Sequence, residues 1–330
     1  MLNKNLSLSQ KVLSTGIAKK SNRDGFGDTL VKLGGEIKEL VVLTADLRDS
    51  TRVDQFAKKF PKRFVEVGVA EQNMAGIAAG MALSGKLPVM TSFTTFSPGR
   101  NWEQIRVSVC YTRANVKIVS THSGFSAAKD GATHQGLEDL ALARVLPNMV
   151  VIEPADYKQT GKALEEMLKH ESPAYMRLNR NETPIFTTAK TPFKIGEAQI
   201  LNKGEKVSII ACGPLVYTAL EAVKELELKD RISVEVINCP TIKPLDEDTI
   251  ARSAAKTGLV VTLEEHQING GLGGAVTELL SQKMPTRVYR LGAQDTFGES
   301  GDYKKLLSKH GLDKEGIIKK VKSFVTAHDR

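Results

Sequence analysis

Glu71 opens the stretch EQNMAGIAAGMAL and is the only carboxylate between Glu66 and Glu103. A carboxylate in the first turn of a helix is stabilised by the macrodipole, and that alone can account for an acid there. Its neighbours Val69, Ala70, Met74 and Ile77 are apolar. They would desolvate it, at a cost unless it is protonated or hydrogen-bonded. Such a carboxyl can share a proton with a ring nitrogen. Position alone leaves both readings open. The stretch TSFTTFSPGRNW (91–102) tilts the balance, because it sets Phe93 and Phe96 at the end of a strand-like run with Trp102 close behind. Only 5% of the chain is aromatic, so this grouping exceeds what packing needs and suits an apolar slot for a flat ring. His122, Asp130 and His134 fall in THSGFSAAKDGATHQ (121–135), a glycine-containing polar loop. Loops of that kind carry binding chemistry more often than packing.

Elements that could position these groups alternate along the chain. Near-continuous apolar runs at 40–45, 64–68, 88–93, 116–121, 149–153 and 174–178 read as buried strands. Amphipathic segments at 137–146 and 156–170 read as helices between them. This pattern predicts a parallel sheet with helices on both faces. A second set of strands is expected at 206–212, 232–238, 259–265 and 287–291, with helices near 214–227, 246–256 and 271–283. The fold class is therefore α/β with two domains, 1–185 and a smaller 195–330. The aperiodic, proline- and threonine-rich stretch after Arg180 is the linker, taken as 186–194.

Several classes are set aside. The hydrophobic share of 41% and charged share of 25% are those of a globular protein. The three cysteines, Cys110, Cys212 and Cys239, form no CxxC pair, which suits neither a zinc site nor a disulfide frame. No metal-binding residue is expected in this chain. Apolar runs are strand-sized, too short for a bilayer, and no signal-peptide core opens the chain; the expected location is the cytoplasm. A net charge of +8 admits anionic substrates, while the spread lysines read as solvated helix faces, so neither nucleic acid nor membrane is expected as a partner. GMALSGK (80–86) resembles a phosphate loop, but Leu87 stands where a Ser or Thr is needed and Gly85 suits a helix stop. GGLGGAV (270–276) lacks the third glycine and the following acid of a dinucleotide fingerprint.

The stretches ADLRDST (45–51), FVEVGVAEQNMAGIAAGMAL (64–83), TSFTTF (91–96), KDGATHQGLEDLALARVLPNM (129–149) and LNRNETPIF (178–186) together resemble the transketolase family of thiamine diphosphate enzymes. The resemblance spans nearly the whole chain, but only the pyrimidine-binding and C-terminal domains of a full-length member. It implies that Glu71 binds N1′ of the cofactor's aminopyrimidine and favours the imino tautomer. Phe93 and Phe96 would surround that ring, with Asp46 also contacting the cofactor. Arg23, Ser50, His122 and Arg180 would meet a sugar phosphate, Asp130 and His134 the sugar hydroxyls, with His134 at the reacting end. Arginine suits a phosphate because its planar fork donates two hydrogen bonds at once.

Three features depart from the family pattern. Gly99 replaces a third pyrimidine-facing aromatic, leaving the slot looser or completed by another residue such as Trp102. Lys129 stands where Glu is common, which bears on sugar preference. The chain also has no GDG sequence, the family's Mg²⁺ and diphosphate motif. The resemblance is thus to the C-terminal subunit of a split transketolase, with the metal and diphosphate held by an N-terminal subunit. Two copies of each chain are expected, with a two-carbon ketol unit moved between sugar phosphates of the pentose phosphate pathway. The alternatives are the β subunit of a 2-oxo acid dehydrogenase and a non-catalytic protein that kept the fold.

Overall fold

The computed structural model describes residues 2–329. In chain order the strands are β1 (Lys19–Ser21), β2 (Leu40–Thr44), β3 (Phe64–Glu66), β4 (Leu87–Phe93), β5 (Lys117–Thr121), β6 (Val150–Ile152) and β7 (Ala174–Arg177). They continue with β8 (Glu182–Pro184), β9 (Gln199–Asn202), β10 (Val207–Ala211), β11 (Val234–Asn238), β12 (Thr241–Lys243), β13 (Leu259–Gln267) and β14 (Arg287–Ala293). The helices are α1 (Asn22–Glu36), α2 (Asp54–Lys59), α3 (Glu71–Leu83), α4 (Trp102–Gln104, running on as a π-helix over Ile105–Tyr111), α5 (Asp139–Arg144) and α6 (Tyr157–Lys169). After them come α7 (Leu215–Lys229), α8 (Glu247–Thr257), α9 (Leu272–Lys283), α10 (Tyr303–Lys309) and α11 (Lys314–His328).

The larger sheet has the order β12-β6-β7-β5-β4-β2-β3. Its neighbours are parallel except for β12, which runs antiparallel to β6. The second sheet has the order β14-β13-β10-β11-β9, with β9 antiparallel at one edge. Every residue of β2, β5, β10 and β11 is buried. That is why these runs carry no polar alternation: both sheet faces are covered by helices. Helix ends follow side-chain chemistry. Ser21 caps α1 by accepting from the Asp24 amide, and Asp156 caps α6 by accepting from the Gln159 amide. Helix α3 stops at Ser84, followed by Gly85 at φ +83°, as expected for a terminator and not for a phosphate loop. At α9 the amides of Leu272 and Gly273 donate to the buried Glu264 carboxylate at 2.7 and 2.8 Å. An internal carboxyl group thus fills the helix N-terminus that a dinucleotide would need. Among the described residues no helix is long and apolar enough to cross a membrane.

Two features tie the domains together at their boundary. The segment after Arg180 is not slack: β8 pairs antiparallel with β1, and Phe186 is fully buried. The Asp156 carboxylate accepts from the amides of Phe186 and Thr187 at 2.9 and 2.7 Å. One buried cap therefore holds both a helix start and the inter-domain chain. The second feature is β12, which comes from the C-terminal half of the chain yet extends the first sheet. The two halves share a sheet edge and a continuous apolar core that includes Leu140, Val151, Ile210, Ile237 and Leu272.

Candidate active site

Loops leaving the C-terminal ends of β2, β3, β4, β5 and β7 carry the candidate groups, at the sheet edge where parallel α/β folds bind ligands. Glu71 begins α3 just after β3, with its side chain 1% exposed. Met74 below it is fully buried, but Val69 is 71% exposed and does not shield the carboxylate as the sequence suggested. Glu71 instead has a charged partner. Arg100 Nη1 donates to Glu71 Oε2 at 2.7 Å, and its guanidinium carbon lies 4.4 Å from the centroid of the Phe96 ring. The Phe93 and Phe96 rings run nearly parallel, 6.0 Å apart at 18°. His134 meets Phe96 edge-on at 5.3 Å, so Glu71, Arg100, the aromatic pair and this histidine share one crevice.

Gly99 leaves no room for a third aromatic at its position. A Cβ there would lie 2.0 Å from the Thr95 carbonyl oxygen. Arg100, and not Trp102, takes that place. The Trp102 indole donates to the Leu142 carbonyl at 2.8 Å and packs on the core, so the grouping of three aromatics divides into two slot residues and one structural residue.

The positive end of the crevice gathers Arg23, Arg180 and Arg52 around His122. Arg23 Nη1 donates to the Ser50 carbonyl at 2.8 Å, which joins two of the predicted residues through Ser50's backbone. The buried Arg23 Nε has no partner. Desolvation and the nearby Arg52 and Arg180 charges lower Arg23 to about 10. The same effects act on His122, where burial dominates and Arg23, Arg180, His134 and Arg52 add to it, pushing its pKa down to about 2. His122 sits at φ +60°, a left-handed conformation that histidine adopts more readily than bulkier side chains. Its ring lies 3.8 Å from that of Phe93, and its Nδ1 is 2.8 Å from Thr121 Oγ1. Crowded guanidinium groups with an unsatisfied donor are chemically suited to an anion.

Arg180 Nη1 reaches Asp130 Oδ2 at 3.3 Å, tying the β7 end to the loop that carries His134. That loop is held from the second domain: Gln135 Nε2 donates to the carbonyls of Ala128 and Glu299 at 3.1 and 2.9 Å, and the Gly301 amide donates to Ala128 at 3.3 Å. Ala128 at φ +52° is strained at a cost of about 1–3 kcal/mol, which these braces offset. Lys129 points into solvent. Asp46 is exposed, at φ +59°, with its amide donating to Glu66 Oε1 at 2.7 Å. Its position at the end of β2 places it on the correct sheet edge, but it is not joined to the Glu71–Phe96 group.

Arg100, Arg52 and Gln135 were not singled out from the sequence. Arg100 had a visible signal, a cation immediately after the residue where an aromatic was missing. Arg52, ion-paired to Asp24 at 2.7 Å, and Gln135 act through long-range contacts with no local pattern.

The model of the transketolase pyrimidine-binding domain matches residues 18–185, and that of the transketolase C-terminal domain matches residues 196–317. The chain belongs to the transketolase family. This transketolase-family chain is 46% identical over 305 residues to a putative transketolase C-terminal section from Methanocaldococcus jannaschii, covering 92% of this chain and 95% of that protein. It is 40% identical over 297 residues to the 6-deoxy-6-sulfo-D-fructose transketolase subunit SqwH from a Clostridium species, covering 90% and 92%. Among solved structures it superposes on a split gene transketolase, described as an inactive β4 tetramer, with TM-score 0.86, 41% identity, and 94% and 99% of the two chains covered.

Proposed function

We propose that this chain is the pyrimidine-binding half of a split, thiamine-diphosphate-dependent ketol transferase, whose active site is completed by an N-terminal chain. The observation that carries this reading is the buried Glu71 carboxylate beside Phe93 and Phe96, in the same crevice as the Arg23–Arg180 cation group. These residues fit the cofactor's ring: a flat apolar surface, one carboxylate, and His134 against both aromatic rings. Bound thiamine diphosphate supplies the carbanion equivalent that cleaves and forms a carbon–carbon bond next to a carbonyl. Glu71 holds the proton at the ring nitrogen it contacts. Phe93 and Phe96 orient the ring and exclude water. His134 accepts and returns a hydroxyl proton of the sugar, while Arg23, Arg52 and Arg180 hold the anionic end. Mg²⁺ and the diphosphate fall to the partner, a reading supported by the lack of a GDG sequence in this chain.

The donor is a ketose, and the acceptor an aldose, with an anionic terminal group. Phosphate is the expected group, and the sulfonated sugar in the name of the Clostridium relative is compatible with the same guanidinium cluster. Pyruvate has no distant anion for that cluster to bind, which favours a sugar over pyruvate. Partner binding is supported by exposed apolar groups beside α3 and α4, with Val69 71%, Leu83 67% and Tyr111 85% accessible. A β-only assembly named inactive in a relative supports inactivity of the isolated chain.

The test is reconstitution with a GDG-bearing N-terminal chain. Mixing should produce ketol transfer from xylulose 5-phosphate, none from pyruvate, and a larger species by light scattering, expected to hold two copies of each chain. Glu71→Gln should still assemble but slow exchange of the bound cofactor's C2 proton by orders of magnitude. Full activity of the chain alone would overturn the split-site reading.

A further inference from the structure

The ring slot is already occupied by this chain's own arginine. Arg100 places one nitrogen 2.7 Å from Glu71 Oε2 and its guanidinium carbon 4.4 Å from the centre of the Phe96 ring. Stacked aromatic centroids lie about 4.5–7 Å apart, so the guanidinium fills the shell that an incoming flat ring would use. Phe93 and His134 take up other parts of the surroundings of Phe96. The arginine thus imitates a cofactor ring in two respects: it is a planar group over Phe96 and a hydrogen-bond donor to Glu71.

We propose that Arg100 is a built-in plug of the pyrimidine slot, displaced outward when the cofactor's ring enters. This inference rests on the reading of the slot given above. The backbone around the plug is fixed. The Arg100 amide donates to the Phe96 carbonyl at 3.1 Å, Asn101 Nδ2 donates to the Glu71 carbonyl at 3.2 Å, and no side chain fits at Gly99. The arginine side chain itself is 45% exposed, whereas that of Glu71 is 1% exposed. Arg100 can therefore rotate into solvent on a stationary turn, while Glu71 cannot leave. The plug compensates a buried carboxylate that would otherwise lie unpaired, a costly arrangement. It also keeps the aromatic face from solvent until a ring takes its place.

Thiamine, which carries the pyrimidine and a cationic thiazolium but no diphosphate, is the probe. Its binding to the full chain is followed by saturation-transfer NMR, with thermal unfolding as the check of folding. Arg100→Ala should bind thiamine about tenfold more tightly than the wild type, the combined scale of a half-exposed ion pair and a cation–ring contact. Arg100→Gln, which keeps a donor but no charge and preserves more of the packing, should fall between them. Millimolar ethylguanidinium should weaken thiamine binding to Arg100→Ala and leave the wild type unchanged, a readout that a purely structural arginine would not move. Equal or weaker binding by both folded variants overturns the plug while leaving the slot in place, provided that Phe96→Ala abolishes binding. Wild-type binding that survives Phe96→Ala and Glu71→Gln overturns the slot reading, and the plug with it.

Discussion

At the scale of single residues, charge crowding is what separates the two ends of the crevice. Burial above all, with the charges of Arg23, Arg180, His134 and Arg52 adding to it, pushes the pKa of His122 down to about 2. His122 is thus a neutral hydrogen-bonding ring near pH 7, and the cationic work falls to the arginines. Ring ¹⁵N shifts of His122 should report a neutral tautomer from pH 8 down to pH 5; an imidazolium appearing near pH 6.5 would contradict the packing around it. In the reconstituted enzyme, Arg23→Ala and Arg180→Ala should raise KM for phosphorylated sugars by about 10–100-fold with kcat little changed. Charge-assisted hydrogen bonds to a remote anion are worth about 1.5–3 kcal/mol and act equally on ground and transition states. His134→Ala should lower kcat by about 10²-fold or more, as for loss of a proton-transfer group. Steady-state kinetics of the three variants side by side would expose a reversed pattern.

At the scale of elements, the turn between β4 and α4 and the helix α3 respond oppositely to the same chemical change. A methyl group on Gly99 would press to 2.0 Å against the Thr95 carbonyl, whereas nothing lies within 4 Å of one placed on Gly76. Gly99→Ala should therefore destabilise the chain by about 1–3 kcal/mol through backbone displacement. It should also disturb the Arg100–Glu71 pair that this turn presents. Gly76→Ala, in the middle of a helix, should stabilise the isolated chain by about 0.5–1 kcal/mol by restricting the unfolded chain and improving helix propensity. Urea unfolding of the two variants measures both. A stabilised Gly99→Ala would mean that the turn is free to relax, and the rigid base required for the plug would be lost.

At the scale of the whole molecule, the two domains meet across buried charge. Arg177, fully buried, donates to Asp139 Oδ2 and to Glu153 Oε1, both at 2.8 Å, and to the carbonyls of Gly136 and Glu265. Glu265 Oε2 accepts from Tyr303 at 2.7 Å and from Asn179 at 3.3 Å, while Glu265 Oε1 is buried without a partner. Desolvation raises Glu265 to about 7, against the opposing effects of Tyr303 and Arg177. The native state therefore holds a proton that the unfolded chain has released above pH 4.5. Stability from this group is fully present below about pH 4.5 and is lost as pH rises toward 7. Glu265→Gln removes the titration, so the difference in stability between variant and wild type should change over that window by at most about 3 kcal/mol. Chemical unfolding at pH 4.5, 6 and 7.5 tests this; a parallel pH dependence in the two proteins would show that Glu265 is ionised in the folded interface.

The α/β class, most central strands and the Glu71–Phe93–Phe96 grouping were legible in the sequence. Each depends on local periodicity or on close spacing along the chain. An apolar run buried on both faces looks the same in sequence as in the sheet, and residues three positions apart after one strand must share a loop. Short edge strands such as β1, β8, β9 and β12 lack that signal, since three or four residues show no period and their partners lie up to 165 positions away, as for Lys19 and Pro184. The partner of Glu71, the exposure of Val69, the removal of Trp102 from the slot and the brace on the His134 loop were decided only by tertiary structure. A buried charge selects whichever compensating group the fold brings within 3 Å, and that choice depends on the backbone path of distant segments. The residue types therefore suggested the chemistry, while the three-dimensional arrangement determined which arginines crowd His122 and which one pairs with Glu71.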